Sequence, residues 1–124
     1  MNNYIYKKMT FKEINTLLKE CTICVLSLSV NDIPYSVPMY YKYNNKGSEP
    51  IFTLESKNQG QKITFLKQNE QVCIFVQFSE IEQYRTVIAN GIAKINYTEL
   101  NSSYNDMTKI IVCVQDITGR IYTK

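Results

Sequence analysis

From Phe11 to Cys21 the apolar residues recur at helical spacing. Phe11, Ile14, Leu17, Leu18 and Cys21 share one face, while Lys12, Glu13, Thr16, Lys19 and Glu20 fall on the other. The stripe predicts an amphipathic helix of about three turns that covers a core. Its start is marked by Thr10 and Glu13, which have the spacing at which a cap hydroxyl and a carboxylate each accept the other's backbone amide. Met9 and Ile14 sit where a hydrophobic staple would place them.

At Thr22 the period changes to two. Cys24, Leu26, Leu28 and Val30 alternate with Ile23, Val25, Ser27 and Ser29, as in a strand apolar on one face and mixed on the other. Asn31-Asp32 is a tight-turn pair that tolerates left-handed φ, so a second strand from Ile33 to Tyr43 completes a hairpin. Pro34 and Pro38 lie on one side of that strand and cannot donate to a ladder. Two prolines and four tyrosines in one strand suggest a surface where something docks. After the loop Asn44–Ser48, Pro50 to Leu54 reads as a third strand. The polar stretch Glu55–Gly60 then leads into a helix through Ile63, Phe65 and Leu66.

Val72 to Phe78 is nearly all apolar and is expected to be buried on both faces. Tyr84 to Asn96 is a long strand, with Gly91 marking a bulge or a close backbone approach. Glu99 to Met107 is polar and shows no clear period. Lys109 to Val114 is the sixth strand, and Asp116 to Lys124 reads as a turn with a short tail. These elements predict a mainly β fold, a six-stranded antiparallel barrel with two short helices, whose closure removes sheet edges. At 124 residues the chain is expected to form one domain spanning 1–124.

Composition narrows the chemistry. Histidine is absent, which removes histidine-based nucleophile pairs, histidine zinc sites and histidine haem ligation within this chain. Catalysis near neutral pH would then need a cofactor or shifted carboxylates, cysteines, lysines or tyrosines. Cys21 and Cys24 have C-x-x-C spacing, but strand positions three apart face opposite ways, so the four cysteines read as reduced thiols without metal. The net charge of +3 is mild and scattered, unlike the basic stripe of a duplex-DNA binder. Of 14 basic residues only Arg85 and Arg120 are arginine, and each invites the question of what planar group it grips, or whether it makes only a surface ion pair. No run approaches the ~20 apolar residues of a membrane span, and no apolar leader follows Lys7 and Lys8, so the expected location is cytoplasmic.

Several stretches occur in a telling order. They are Asp32-Ile33-Pro34-Tyr35-Ser36-Val37-Pro38-Met39-Tyr40-Tyr41, Ile51-Phe52-Thr53-Leu54-Glu55-Ser56, Gly60-Gln61-Lys62, Leu66-Lys67-Gln68-Asn69, Tyr84-Arg85-Thr86-Val87, Asn90-Gly91-Ile92-Ala93 and Asp116-Ile117-Thr118-Gly119-Arg120. From about residue 10 to residue 120 this order resembles the pyridoxamine 5′-phosphate oxidase-like FMN-binding split-barrel superfamily, and within it the nitroimidazole-resistance and general-stress-protein branch. The family pattern has a histidine just after the third strand, where this chain has Glu55.

The resemblance implies a split barrel that binds FMN, pairs with itself, and passes a hydride or electrons from the flavin to a small organic acceptor, as an FMN-dependent oxidoreductase. It places Pro38, Met39, Tyr40 and Tyr41 along the flavin ring, Glu55 near the ring or substrate, and Val87 beside the cofactor. Lys62, at a helix start, with Ser56, Arg85 and Thr86, would seat the phosphate. Each has an ordinary alternative: core or interface packing for the tyrosines, a solvated lysine, a surface pair for Arg85, a plain strand threonine. A homodimer is expected on two grounds. One small barrel offers little concave surface for a flavin, and Tyr35, Val37, Met39, Tyr41 and Tyr43 crowd one face of the second strand with more apolar area than one interior should absorb. The rival reading is a non-catalytic split barrel, empty or stacking single-stranded nucleic acid on its ten tyrosines. The clustering of tyrosines beside prolines rather than lysines makes nucleic acid unlikely.

Overall fold

In a computed structural model of the chain, residues 5–47, 49–96 and 107–124 are described. The capping box is formed: the Glu13 amide donates to Thr10 Oγ1 at 3.1 Å and the Thr10 amide to Glu13 Oε1 at 2.9 Å. Helix α1 (Phe11–Glu20) follows and buries Ile14, Leu17 and Leu18. It is preceded by a short strand β1 (Tyr6–Lys8) and followed by β2 (Ile23–Val30) and β3 (Ile33–Lys46). Then come β4 (Glu49–Lys57), α2 (Gln61–Gln68), β5 (Gln71–Ser79), β6 (Gln83–Asn96) and β7 (Met107–Thr123). The segment 99–106, expected to be irregular, lies outside the described residues.

All pairings are antiparallel, in the order β1-β7-β4-β3-β2-β5-β6, and β6 returns to pair with β7. The six long strands therefore close into a barrel. Strand β1 is a seventh, laid against the end of β7 through Tyr6↔Tyr122 and Lys8↔Arg120. The β2–β3 hairpin turns at Asn31 and Asp32, with φ of 51° and 65°, as the turn pair predicts.

Three expectations are corrected. Strand β3 runs on to Lys46, so the expected loop is only a tight connection at Gly47, whose φ is +61°. The last strand extends to Thr123 rather than ending at Val114. Its turn-like residues have other uses there: Gln115 is the extra residue of a bulge, since Asn90 pairs with Asp116 and Gly91 with Val114. Gly119 leaves room for the staple, for a Cβ there would meet Ile14 at 2.8 Å and Met9 at 2.9 Å. Third, β5 is buried on one face only. Val72, Ile74 and Val76 face the core, while Cys73 and Phe75 are half-buried and Phe78 is exposed. Gly91 sits at the bulge as anticipated, its missing Cβ just 2.4 Å from the Cys113 carbonyl oxygen.

The interior is filled by Leu26, Phe52, Leu54, Ile74, Val87, Ala89, Ile110 and Val112, with α1 and α2 closing over it. Cys24 joins this core, and burial pushes its thiol up to about 12. No helix among the described residues is long and apolar enough to cross a membrane.

Candidate site on the outer face of the barrel

Side chains alternate across β3, and that alternation separates the expected ring contacts. Met39 and Tyr41 point inward and are buried; Pro38 and Tyr40 point outward, Tyr40 being 75% exposed. The Tyr41 hydroxyl donates to the Leu18 carbonyl at 2.8 Å, satisfying a helix-end acceptor, and Tyr43 hydrogen-bonds Asn15 Oδ1. Both rings pack on Phe52, at 5.3 and 5.2 Å. Tyr35 meets Phe65 of α2 at 5.6 Å. The inner face of β3 is therefore absorbed by the barrel and its helices, contrary to the expected surplus. Met39 and Tyr41 have only backbone to offer a ligand outside.

The surplus lies on the opposite face. Pro38, Val25, Phe75 and Ile88 stand in register across β3, β2, β5 and β6, and Tyr40 faces Ile23 one step along. Ile23 is 53% and Ile88 42% exposed. The row crosses four strands, about 14 Å at the usual inter-strand spacing. Beside it Ser36, Ser27, Cys73 and Asn90 form a polar row, with the two serine hydroxyls 2.9 Å apart. An open groove of about 500 Å³ runs along that polar row, bounded by Ser29 and Gln115. Val25, Phe75 and Ile88 of this row were not among the residues that the sequence singled out. Their signal was present, since each is apolar on the outward beat of its strand.

The anion-seating candidates fall into two groups. Glu55 and Ser56 lie near the end of β4, opposite Lys109 and Thr108. Glu55 is exposed, whereas Ser56 is buried and its hydroxyl donates to the Lys57 carbonyl at 2.9 Å. Lys62 is half-exposed in the first turn of α2, just after Gly60, whose φ of +100° suits glycine. The second group is at the start of β6, paired with the far end of β7. Arg85 reaches Glu80 at 3.7 Å, and its Nε is buried without a hydrogen-bond partner. Thr86 follows it on a strand and therefore faces the other way; its register neighbours are Gln77 and Arg120. Arg85 and Thr86 do not converge as fork and hydroxyl on one group. Val87 is 1% exposed and belongs to the core. Thr108 and Ile121, the β7 partners of Ser56 and Arg85, are at opposite ends of that strand, so one barrel does not gather the two groups.

The whole fold has close counterparts among solved structures. A FAD-binding protein from Mesorhizobium loti superposes with a TM-score of 0.82 at 17% identity, covering 98% of this chain and 100% of that one. A candidate 5-nitroimidazole antibiotic resistance protein from Bacteroides thetaiotaomicron gives 0.81 at 19% identity, covering 98% and 90%. A candidate pyridoxamine 5′-phosphate oxidase from Corynebacterium glutamicum gives 0.77 at 16%, covering 99% and 96%. No family model matches the sequence, and no curated protein sequence matches it. The fold expected from the order of motifs, the split barrel of flavin-binding and pyridoxamine-phosphate-oxidase-like proteins, is the fold observed.

Proposed function

We propose that this chain is a homodimeric flavin-binding split barrel that uses FMN to reduce a small organic acceptor. The observation that carries the reading is the in-register apolar row Pro38–Val25–Phe75–Ile88, partly exposed on the outside of a barrel shared over its full length with a FAD-binding protein. An apolar row four strands wide on the outer face suits both an apolar heterocycle and a second copy of the same face. The donor set fits the rest of the group. Lys62 beside the α2 amides offers an anion seat, and the unspent Nε of Arg85 is a buried donor in want of an acceptor. Because these two lie at opposite ends of one barrel, two chains are needed to bring both to one ligand.

When bound, the flavin supplies hydride or electron transfer. The protein's share is placement. Pro38 and Tyr40 would flank the ring's seat, and the apolar row would exclude water from it. Glu55, exposed where the resemblance puts a histidine, is an acceptor with no donor role while ionised.

Absorbance of the purified protein, followed by titration of the apoprotein with FMN and FAD, tests this directly. The expected result is a yellow protein, or a colourless one that takes up one flavin per chain. Lys62→Ala should then weaken uptake about ten- to a hundredfold, the worth of a charged contact to phosphate. Protein that neither carries nor takes up either flavin would overturn the reading. Flavin retained but never reduced by any donor would leave the non-catalytic barrel in its place.

A further inference from the structure

The two arginines have different fates. Arg85 has the carboxylate of Glu80, whereas Arg120 has no carboxylate in ion-pair reach among the described residues. Its guanidinium carbon lies 4.3 Å from the centre of the Tyr6 ring, and Nη1 donates to the Tyr122 hydroxyl at 3.3 Å. Tyr122 in turn meets Tyr6 at 5.7 Å and stacks on Tyr84 at 4.7 Å with 10° between the planes. An exposed arginine is thus held in one place by aromatic rings that leave its charge uncompensated. Its register partner on β1 is Lys8, a second cation.

Beside this pair lies a groove of about 340 Å³, lined by Met9, Phe11, Ile14, Ile117 and Thr118 with Lys8 and Arg120 at its rim. The close fit of Met9 and Ile14 on the Gly119 backbone makes its floor firm. Its volume is in the range of small-molecule sites. An apolar floor offers nothing to an inorganic ion, and two cations at the rim disfavour a wholly apolar guest.

We infer that this groove between α1, β1 and β7 binds a small amphiphilic anion, its apolar body against Phe11, Ile14 and Ile117 and its carboxylate or phosphate on Arg120 and Lys8. A planar guanidinium matches either head group through two parallel hydrogen bonds. Thr118 of the groove is the register neighbour of Ile88, so the groove adjoins the end of the apolar row, but no residue of the row lines it and the inference does not require a flavin.

Calorimetric titration of the full chain with octanoate, octyl phosphate and octanol tests it. At least one of the two anions should bind, one per chain and at least tenfold tighter than octanol, and the tighter of the two identifies the head group. Arg120→Gln should weaken that anion about ten- to a hundredfold, while Lys67→Gln on α2 changes nothing. If circular dichroism shows Arg120→Gln to be unfolded, Lys8→Gln decides by the same loss. Octanol binding as tightly as the anions, binding of neither anion, or full affinity in the folded Arg120→Gln or Lys8→Gln protein would each overturn the inference.

Discussion

Tyr40 and Tyr41 are neighbours in the chain and occupy opposite environments. Tyr41 is 6% exposed, with its hydroxyl spent on the last turn of α1; Tyr40 is 75% exposed on the outside of the same strand. The same contrast holds on β2, where Leu26 is fully buried and Val25 is a half-buried member of the outer row. One face of each strand is packed within this chain, and the other is partly open to solvent. Stability should follow the inner face and assembly the outer one, which makes the contrast easy to attack.

The largest effect is expected from the core. Leu26→Ala should cost about 2–5 kcal/mol, the lost transfer energy plus the cavity. Val25→Ala, next to it, should cost less than about 1 kcal/mol in a monomer, because its side chain is only partly withdrawn from water. Urea unfolding monitored by circular dichroism measures both. Equal losses at the two positions would mean that the outer face is as well packed as the core.

A smaller effect separates the two tyrosines. Tyr41→Phe leaves the Leu18 carbonyl without its donor and should cost about 1–2 kcal/mol, against nothing measurable for Tyr40→Phe. The same burial gives a pH dependence. Cys24, Tyr41 and Tyr43 all have proton affinities raised by desolvation, Cys24 to about 12. The unfolded chain releases these protons from about pH 9 upward while the folded chain keeps them. Their contribution is fully present below that pH, and stability declines as pH rises through it. Unfolding midpoints measured from pH 7 to 11 should fall at the alkaline end, and Tyr41→Phe should flatten the fall. A flat wild-type profile would contradict the burial of these groups.

What the sequence disclosed follows the same division. Thr10 and Glu13 signal their capping box because both partners lie within one turn, and the two-residue beat of β2 and β3 names their inner faces. Gly119 and Asp116 misled, since each looks like a turn residue until Met9 and Ile14 arrive from the other end of the chain, or until a bulge opposite Gly91 takes up the slack. Nor could β1 be seen, because three residues become a strand only through pairing with β7. The site was legible residue by residue rather than as a place. Pro38, Tyr40 and Lys62 are surface groups of suitable chemistry, but the burial of Thr86 and the facing of Arg85 away from it depend on strand phase, and the engagement of Ser56 with Lys57 on local geometry. The scarcity of arginine singled out two residues, and only tertiary contacts show which one is already paired.

The smallest effect on stability should accompany the clearest effect on assembly. Ile88 is 42% exposed and in register with Phe75, so a lysine there stays solvated and extends its stem over the neighbouring apolar surface. Ile88→Lys should change the unfolding free energy of the monomer by no more than about 0.5 kcal/mol. Across a two-fold interface the same change counts twice, since each chain presents its own row and two new charges are buried near one another. Light scattering at micromolar concentration should show the wild type at twice the chain mass and Ile88→Lys at the chain mass, with the two proteins equally folded. Flavin uptake should fall along with the dimer if the cofactor seat is shared between chains. A wild-type monomer that still takes up flavin tightly would locate the ligand within one barrel and leave the outer row without the role given to it here.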